Sequence, residues 1–248
     1  MNKKTTLLLA FAMLLAVAGC SKAENENPAQ SAATAGGAET SQSVGQTEAP
    51  GAEAAEDSSK NLIAYFSRYG NIDDVHEVDA ISSASVLVRD GEMMGNMEYV
   101  AQLVQENIGG DIHFIETAEK YSSQYDNTDS NELDIQAEKE QREDARPELA
   151  THIENMGDYD TVFLCFPNWN SDMPMAVYSF LDEYDLSGKS IVVLTSSGGG
   201  RVGAVDTIRE LDPDATVADE EFTISHSRVD ALGTEDVRDW LREVGYME

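Results

Sequence analysis

Cysteine is almost missing from this chain: its 248 residues hold two, Cys20 and Cys165, in very different surroundings. A structural disulfide is therefore not expected, even in an oxidising compartment. Cations are scarce as well, with 16 Lys and Arg against 47 Asp and Glu and a net charge of −31. That balance argues against a nucleic-acid or anionic-membrane surface, and it leaves a basic partner protein open. The histidines His76, His113, His152 and His226 show no ligand spacing, so no metal site is expected. Asp73, Asp74, Glu77 and Asp79 lack the regular acidic ladder and glycine turn of a calcium loop and read as a solvated insertion. No apolar run approaches the ~20 residues of a comfortable transmembrane helix.

What is present begins with a leader. Asn2, Lys3 and Lys4 precede an apolar run over residues 7–17 that ends in Ala18, Gly19 and Cys20. This pattern is that of an export signal. Its ending, Leu15-Ala16-Val17-Ala18-Gly19-Cys20, resembles the bacterial lipobox, which implies that residues 1–20 are a lipoprotein signal with Cys20 lipidated as the first mature residue. Two acyl chains would anchor stably, since each buried methylene contributes about 0.8 kcal/mol. Residues 21–60 are rich in Ala, Gly, Ser, Thr, Glu, Gln and Pro and have almost no large apolar side chain. They cannot bury enough surface to offset their ordering entropy, and they read as a flexible spacer between membrane and domain. The expected location is extracytoplasmic and lipid-anchored.

Residues 61–248 carry the domain. The apolar runs 61–66, 162–166 and 191–194 suit central strands, the last two being apolar throughout as parallel strands covered on both faces require. Residues 111–116 alternate polar and apolar, as an edge strand does, and residues 215–225 hold a fifth strand. Helical spacing predicts helices over 97–107, about 132–142, 147–156, 174–184, 204–211 and 234–244, the last capped by Thr234. Strands alternating with helices make an α/β sandwich on a parallel sheet, with an insertion over residues 72–95 between the first strand and its helix.

Ligands of open α/β sheets bind outside the carboxyl ends of the strands. Three loops leave those ends. Residues 67–71 offer hydroxyls and backbone amides in a tight turn, a nest able to hold a phosphate without a cation. Residues 167–172 offer Trp169 between Asn168 and Asn170, a flat apolar face with polar neighbours. Residues 195–203 offer Ser197-Gly198-Gly199-Gly200, which lets backbone approach a planar ligand. Arg68 and Arg201 are the cations of these loops, and ordinary surface ion pairs are expected of them. Cys165, inside a buried strand, reads as a core thiol rather than a nucleophile.

These pieces together resemble the flavodoxin family: Tyr65-Phe66-Ser67-Arg68-Tyr69-Gly70-Asn71, then Phe166-Pro167-Asn168-Trp169-Asn170 with Met173-Pro174-Met175-Ala176-Val177, then Leu186-Ser187-Gly188-Lys189 leading to Thr195-Ser196-Ser197-Gly198-Gly199-Gly200. The resemblance implies a flavodoxin-like three-layer sandwich with a five-stranded parallel sheet of order 2-1-3-4-5, FMN as cofactor, and one-electron or two-electron transfer. It implies that Ser67, Tyr69 and Asn71 hold the FMN phosphate. Trp169 would stack on or edge the isoalloxazine, with backbone contacts from Pro167, Asn168 and Asn170, and Ser196, Ser197, Gly198 and Gly199 would bound its pyrimidine side. The acidic surround would lower the flavin's reduction potential.

One departure from the family pattern leaves two alternatives. The helix does not follow the phosphate loop at once, and Ile72 stands where the family has threonine. Either Gly95, Asn96 and Met97 at the helix start complete the nest, or the phosphate site is degraded. The glycine-rich loop also lacks an aromatic over the outer flavin face, which leaves either that face open to a substrate or partner or the flavin affinity low. The expected function is that of a tethered electron carrier or a flavodoxin-type oxidoreductase that reduces quinone-like acceptors. No second dinucleotide fingerprint is visible, so electrons would come from a redox partner protein. The competing reading is a flavin-free binding lipoprotein that keeps the fold.

Overall fold

The computed structural model describes residues 60–73, 86–89, 91–123, 132–199 and 202–248. The expected leader, Cys20, the spacer up to residue 59, the acidic part of the insertion and Arg201 lie outside them.

Strand β1 (Asn61–Tyr65) is central because Leu62, Ile63 and Ala64 are all buried and must be covered on both faces. It is paired in parallel with β4 (Asp111–Phe114) on one side and β5 (Thr161–Pro167) on the other. Beyond β5 comes β6 (Ser190–Ser197), and beyond that two short strands, β7 (Thr216–Val217) and β8 (Phe222–Ser225), both paired with β6. The order β4-β1-β5-β6-β7/β8 is the expected 2-1-3-4-5, with the fifth position split into two pieces. The chain leaves β1 toward one side of the sheet and returns past it to β5, so the switch point lies between these two strands.

Alternate residues of the strands feed two cores. Ile63, Phe163, Cys165, Val192 and Leu194 meet helix α1 (Asn96–Ile108) and helix α5 (Thr234–Glu243). Leu62, Ala64, Val162, Leu164, Ile191 and Val193 meet α3 (Met175–Glu183) and α4 (Ala204–Leu211), with Leu133 of α2 (Glu132–Arg142) in the same cluster. That is the three-layer sandwich. Burial also raises the Cys165 thiol well above its ordinary range, as befits a core residue.

Two expectations need correction, and the insertion gains a defined element. Residues 147–156 do not form a helix. Leu149 bridges to Thr117, and the Ala118 and Ala150 amides donate to Glu148 and Glu116 carbonyls, so this segment runs extended against the chain that leaves β4. Tertiary pairing there outweighs a helical apolar pattern. Thr234 does not cap α5. Gly233 is the N-cap, its amide donating to Asp236 Oδ2 (2.8 Å), while the Thr234 hydroxyl donates to Glu106. The end of the insertion is ordered as an antiparallel hairpin of β2 (Val86–Arg89) and β3 (Glu92–Gly95), leading straight into α1.

Candidate functional site

The carboxyl ends of β1, β5, β6 and β8 share one edge, since all are parallel and in register through Tyr65↔Cys165, Pro167↔Ser196 and Ser197↔Ser225. The site is built on this edge.

Residues 68–71 form a turn closed by the Asn71 amide donating to the Arg68 carbonyl (2.9 Å), with Gly70 at φ +90°. Only glycine suits this position, because a Cβ there would lie 2.8 Å from the Phe114 ring in a backbone conformation that L residues avoid. Asn71 is fully buried and locks the turn. Its Nδ2 donates to the Ser67 and Ile115 carbonyls, and its Oδ1 accepts from the Thr117 amide and hydroxyl. All of its side-chain hydrogen-bonding positions are thereby used. Asn71, expected to hold a phosphate, is placed in this turn with its side chain committed to bracing it. Arg68 also turns inward. It is 1% exposed and donates to the Ser123 carbonyl (2.6 Å), so it is a buried brace rather than a surface cation. Lys120, bound to Glu116 and to the Gly70 carbonyl, supports the turn from outside.

Ser67 behaves differently. Its hydroxyl is buried and has no hydrogen-bond partner among the described residues, and it faces Gly95, the N-cap of α1. A Cβ on Gly95 would stand 1.9 Å from Ser67 Oγ and 3.5 Å from Tyr69 Cβ. The hairpin thus returns the chain so that the α1 N-terminus abuts the loop after β1. Residues 72–95 thus separate the loop after β1 from the start of α1 in sequence but not in space. Backbone amides at a helix N-terminus, a buried serine hydroxyl and half-buried Tyr69 are a donor set suited to an anion.

The second loop is a tight turn in which Trp169 and Asp172 exchange both backbone hydrogen bonds (3.0 Å each), with Asn170 at φ +52° and Ser171 at φ +67°. Trp169 is half-buried. Its ring meets Phe66 (5.2 Å, 89°) and Tyr121 (5.0 Å, 90°) edge to face, and Gln141 Nε2 donates to its carbonyl. The indole is therefore fixed against the loop after β1 as well as its own. Such contacts contribute roughly 0.5–1.5 kcal/mol each beyond area burial. Phe66, Tyr121 and Gln141 are site residues that sequence reasoning passed over. The Tyr121 phenol, raised by burial and then by the neighbouring Glu140 carboxylate, donates to that carboxylate at 3.0 Å.

The second and third loops are joined. The Asn168 amide donates to the Ser196 carbonyl (2.7 Å), and its side chain donates to Ser197 Oγ (3.1 Å). Ser197 Oγ in turn accepts from the Gly199 amide and donates to the Gly199 carbonyl. Ser196 and Ser197 belong to β6 rather than to the loop, which is a boundary correction. Ser196 Oγ is buried without a partner, as Ser67 Oγ is. A buried hydroxyl left so costs about 1–3 kcal/mol. Both lie at the same sheet edge, Ser67 just past β1 and Ser196 on β6, strands separated by β5 and so two interstrand spacings or ~10 Å apart. Unsatisfied groups at both ends of that span, with an aromatic ring over the middle strand, fit an elongated ligand that has an anionic end and a planar end.

The family model described as Flavodoxin matches residues 85–244. A candidate flavoprotein from Bacteroides eggerthii has a solved structure 25% identical to this chain, covering 75% of it and 98% of its own length, with a TM-score of 0.55. One from Bacteroides uniformis is 19% identical over 75% and 99%, also at 0.55, and has the same fold. A flavoprotein from Lactobacillus acidophilus, solved in complex with FMN, is 16% identical over 70% and 97%, at 0.45. No curated protein matches the chain.

Proposed function

Because this chain belongs to the flavodoxin family, we propose that it binds FMN along the carboxyl edge of its sheet and serves as an electron-transfer flavoprotein tethered outside the cytoplasm through a lipid on Cys20. The observation that carries the reading is the contact between Gly95 and Ser67, which brings a helix N-terminus onto a serine hydroxyl that has no partner among the described residues.

In this reading Ser67, Tyr69 and the amides at the start of α1 hold the phosphate, while Asn71 and Lys120 keep their loop in shape. Trp169 and the turn around it flank the ring, and Ser196, Ser197, Gly198 and Gly199 border the other side. FMN, when bound, supplies one-electron and two-electron transfer. The chain's own part is to orient the ring, exclude water from one face and set the local field. That field is strongly negative, which favours a low reduction potential and a basic electron donor. A quinone-like acceptor would use the face that no aromatic from the glycine-rich loop covers.

Titration of the purified protein with FMN, followed by flavin fluorescence and by Tm, tests the cofactor. Saturable binding with a Tm that climbs with FMN concentration is expected. Retention of unbound flavin fluorescence at every protein concentration would end the reading. Tethering is tested separately: Cys20→Ser is expected to move the chain from the membrane fraction to the soluble one, and an unchanged distribution would remove the lipid anchor from the proposal.

A further inference from the structure

His226 stands one residue past the last rung of β8, where Ser225 pairs with Ser197. Its Nδ1 is closed to solvent and has no hydrogen-bond partner. The ring lies against the glycine-rich loop: a Cβ on Gly198 would come 3.3 Å from Nδ1 and 3.4 Å from Cε1. Any other residue at 198 would press on the imidazole, so glycine there serves the histidine as well as the loop. His226 enters no hydrogen bond, ion pair or ring contact among the described residues, so the fold does not explain it. Its partnerless nitrogen sits on the same strand ends as Ser196 Oγ.

The two groups differ in what they offer. The Ser196 hydroxyl can donate or accept, whereas Nδ1, with the ring proton on Nε2, is an acceptor only. The nearby amides of Asn168 and Gly199 are already spent on Ser196 and Ser197. The pyrimidine edge of a flavin is an imide, an N–H between two carbonyls, and it needs an acceptor for that N–H.

We propose that His226 Nδ1 accepts a hydrogen bond from the imide N–H of a flavin bound at the Gly198 edge, making this histidine the residue that selects the unsubstituted imide. The proposal rests on the FMN reading of the site. It assigns a role to a residue that lies after the fifth strand position, outside the three loops that carry the rest of the ligand.

The test compares FMN with its N3-methyl derivative, which lacks that N–H, on the full chain and on His226→Ala and His226→Gln. Dissociation constants are read by flavin fluorescence. The unmodified chain should prefer FMN by about tenfold, the size of one good hydrogen bond. His226→Ala should lose that preference, and His226→Gln, whose amide oxygen is an acceptor, should keep most of it. A merely structural histidine would alter both affinities together and leave their ratio unchanged. If FMN binds and the ratio is the same with and without the imidazole, the role of His226 is overturned while the cofactor site stands. Absence of any FMN binding by the unmodified chain would instead overturn the cofactor reading, and this role with it.

Discussion

Gly95 and Ser67 are packed so closely that a Cβ on the glycine would sit 1.9 Å from the serine Oγ and 2.9 Å from its Cβ. The loop after β1 and the start of α1 are thus fitted to each other, although 27 residues separate Ser67 from Gly95 in the chain. Gly95→Ala should force them apart. Overpacking of this kind costs about 1–3 kcal/mol, read as a lower urea midpoint. FMN binding should weaken at least as much, because the α1 amides move away from Ser67. Combining Gly95→Ala with Ser67→Gly should recover much of the lost stability, since the clash needs both side chains. Strict additivity in that cycle would show that the two residues do not meet.

Asn71 makes a sharper case for bracing over binding. Its amide group donates to two carbonyls, and its oxygen accepts from two donors, all at 2.8–3.1 Å. Asn71→Asp keeps the shape but points an oxygen at the Ser67 and Ile115 carbonyls. We expect a stability loss of roughly 3 kcal/mol, as for losing more than one buried hydrogen bond to an unmatched group. Asn71→Ala should lose a similar amount. A variant as stable as the parent in urea would mean that the loop is held by something else.

How far the sequence led is clearest at this loop. Uninterrupted apolar runs such as 162–166 could only be strands covered on both faces, so the sheet, its helices and the edge that carries the site were legible. The bracing role of Asn71 was not legible because a buried amide and an exposed one have the same one-letter code, and only tertiary partners tell them apart. The β2–β3 hairpin had a usable signal in Asp90-Gly91 between β-prone segments, but the acidic stretch before it masked the pattern. The segment over 147–156 failed for the opposite reason: Leu149, Ile153 and Met156 are spaced as on a helix, yet Leu149 reaches the core from an extended bridge and Met156 from a short 3-10 turn over 156–158. His226 could not have been found, since its relation to Gly198 exists only once β8 is paired with β6.

His113 gives the fold a pH dependence that does not involve the ligand site. It lies on edge strand β4, its Nε2 is buried without a partner, and burial lowers its pKa, with Glu183 pulling up and His152 pushing down to smaller extents. The folded chain therefore resists a proton that the unfolded chain accepts. Its contribution to stability is complete above the ordinary histidine value of about 6.5 and declines as the pH falls below that toward the folded value. His113→Gln should flatten the change in Tm between pH 7.5 and pH 5, at some cost at the higher pH. Parallel Tm curves for the variant and the parent would remove His113 from the acid response.

Trp169 joins two of the site loops through one ring, so its replacement separates packing from ligand contact. Trp169→Phe keeps an aromatic against Phe66 and Tyr121 and should cost no more than ~1 kcal/mol. Trp169→Ala loses both edge-to-face contacts and should cost about 2 kcal/mol in urea titration. The chain has one other tryptophan, Trp240, which packs on Phe222 at 5.1 Å. It reports on α5, away from the loop after β5. If the flavin ring lies beside Trp169, FMN should quench most of the parent's indole emission, and the quench should shrink to the Trp240 residue of signal in Trp169→Phe. An equal fractional quench in the two proteins would place the ring elsewhere on the edge.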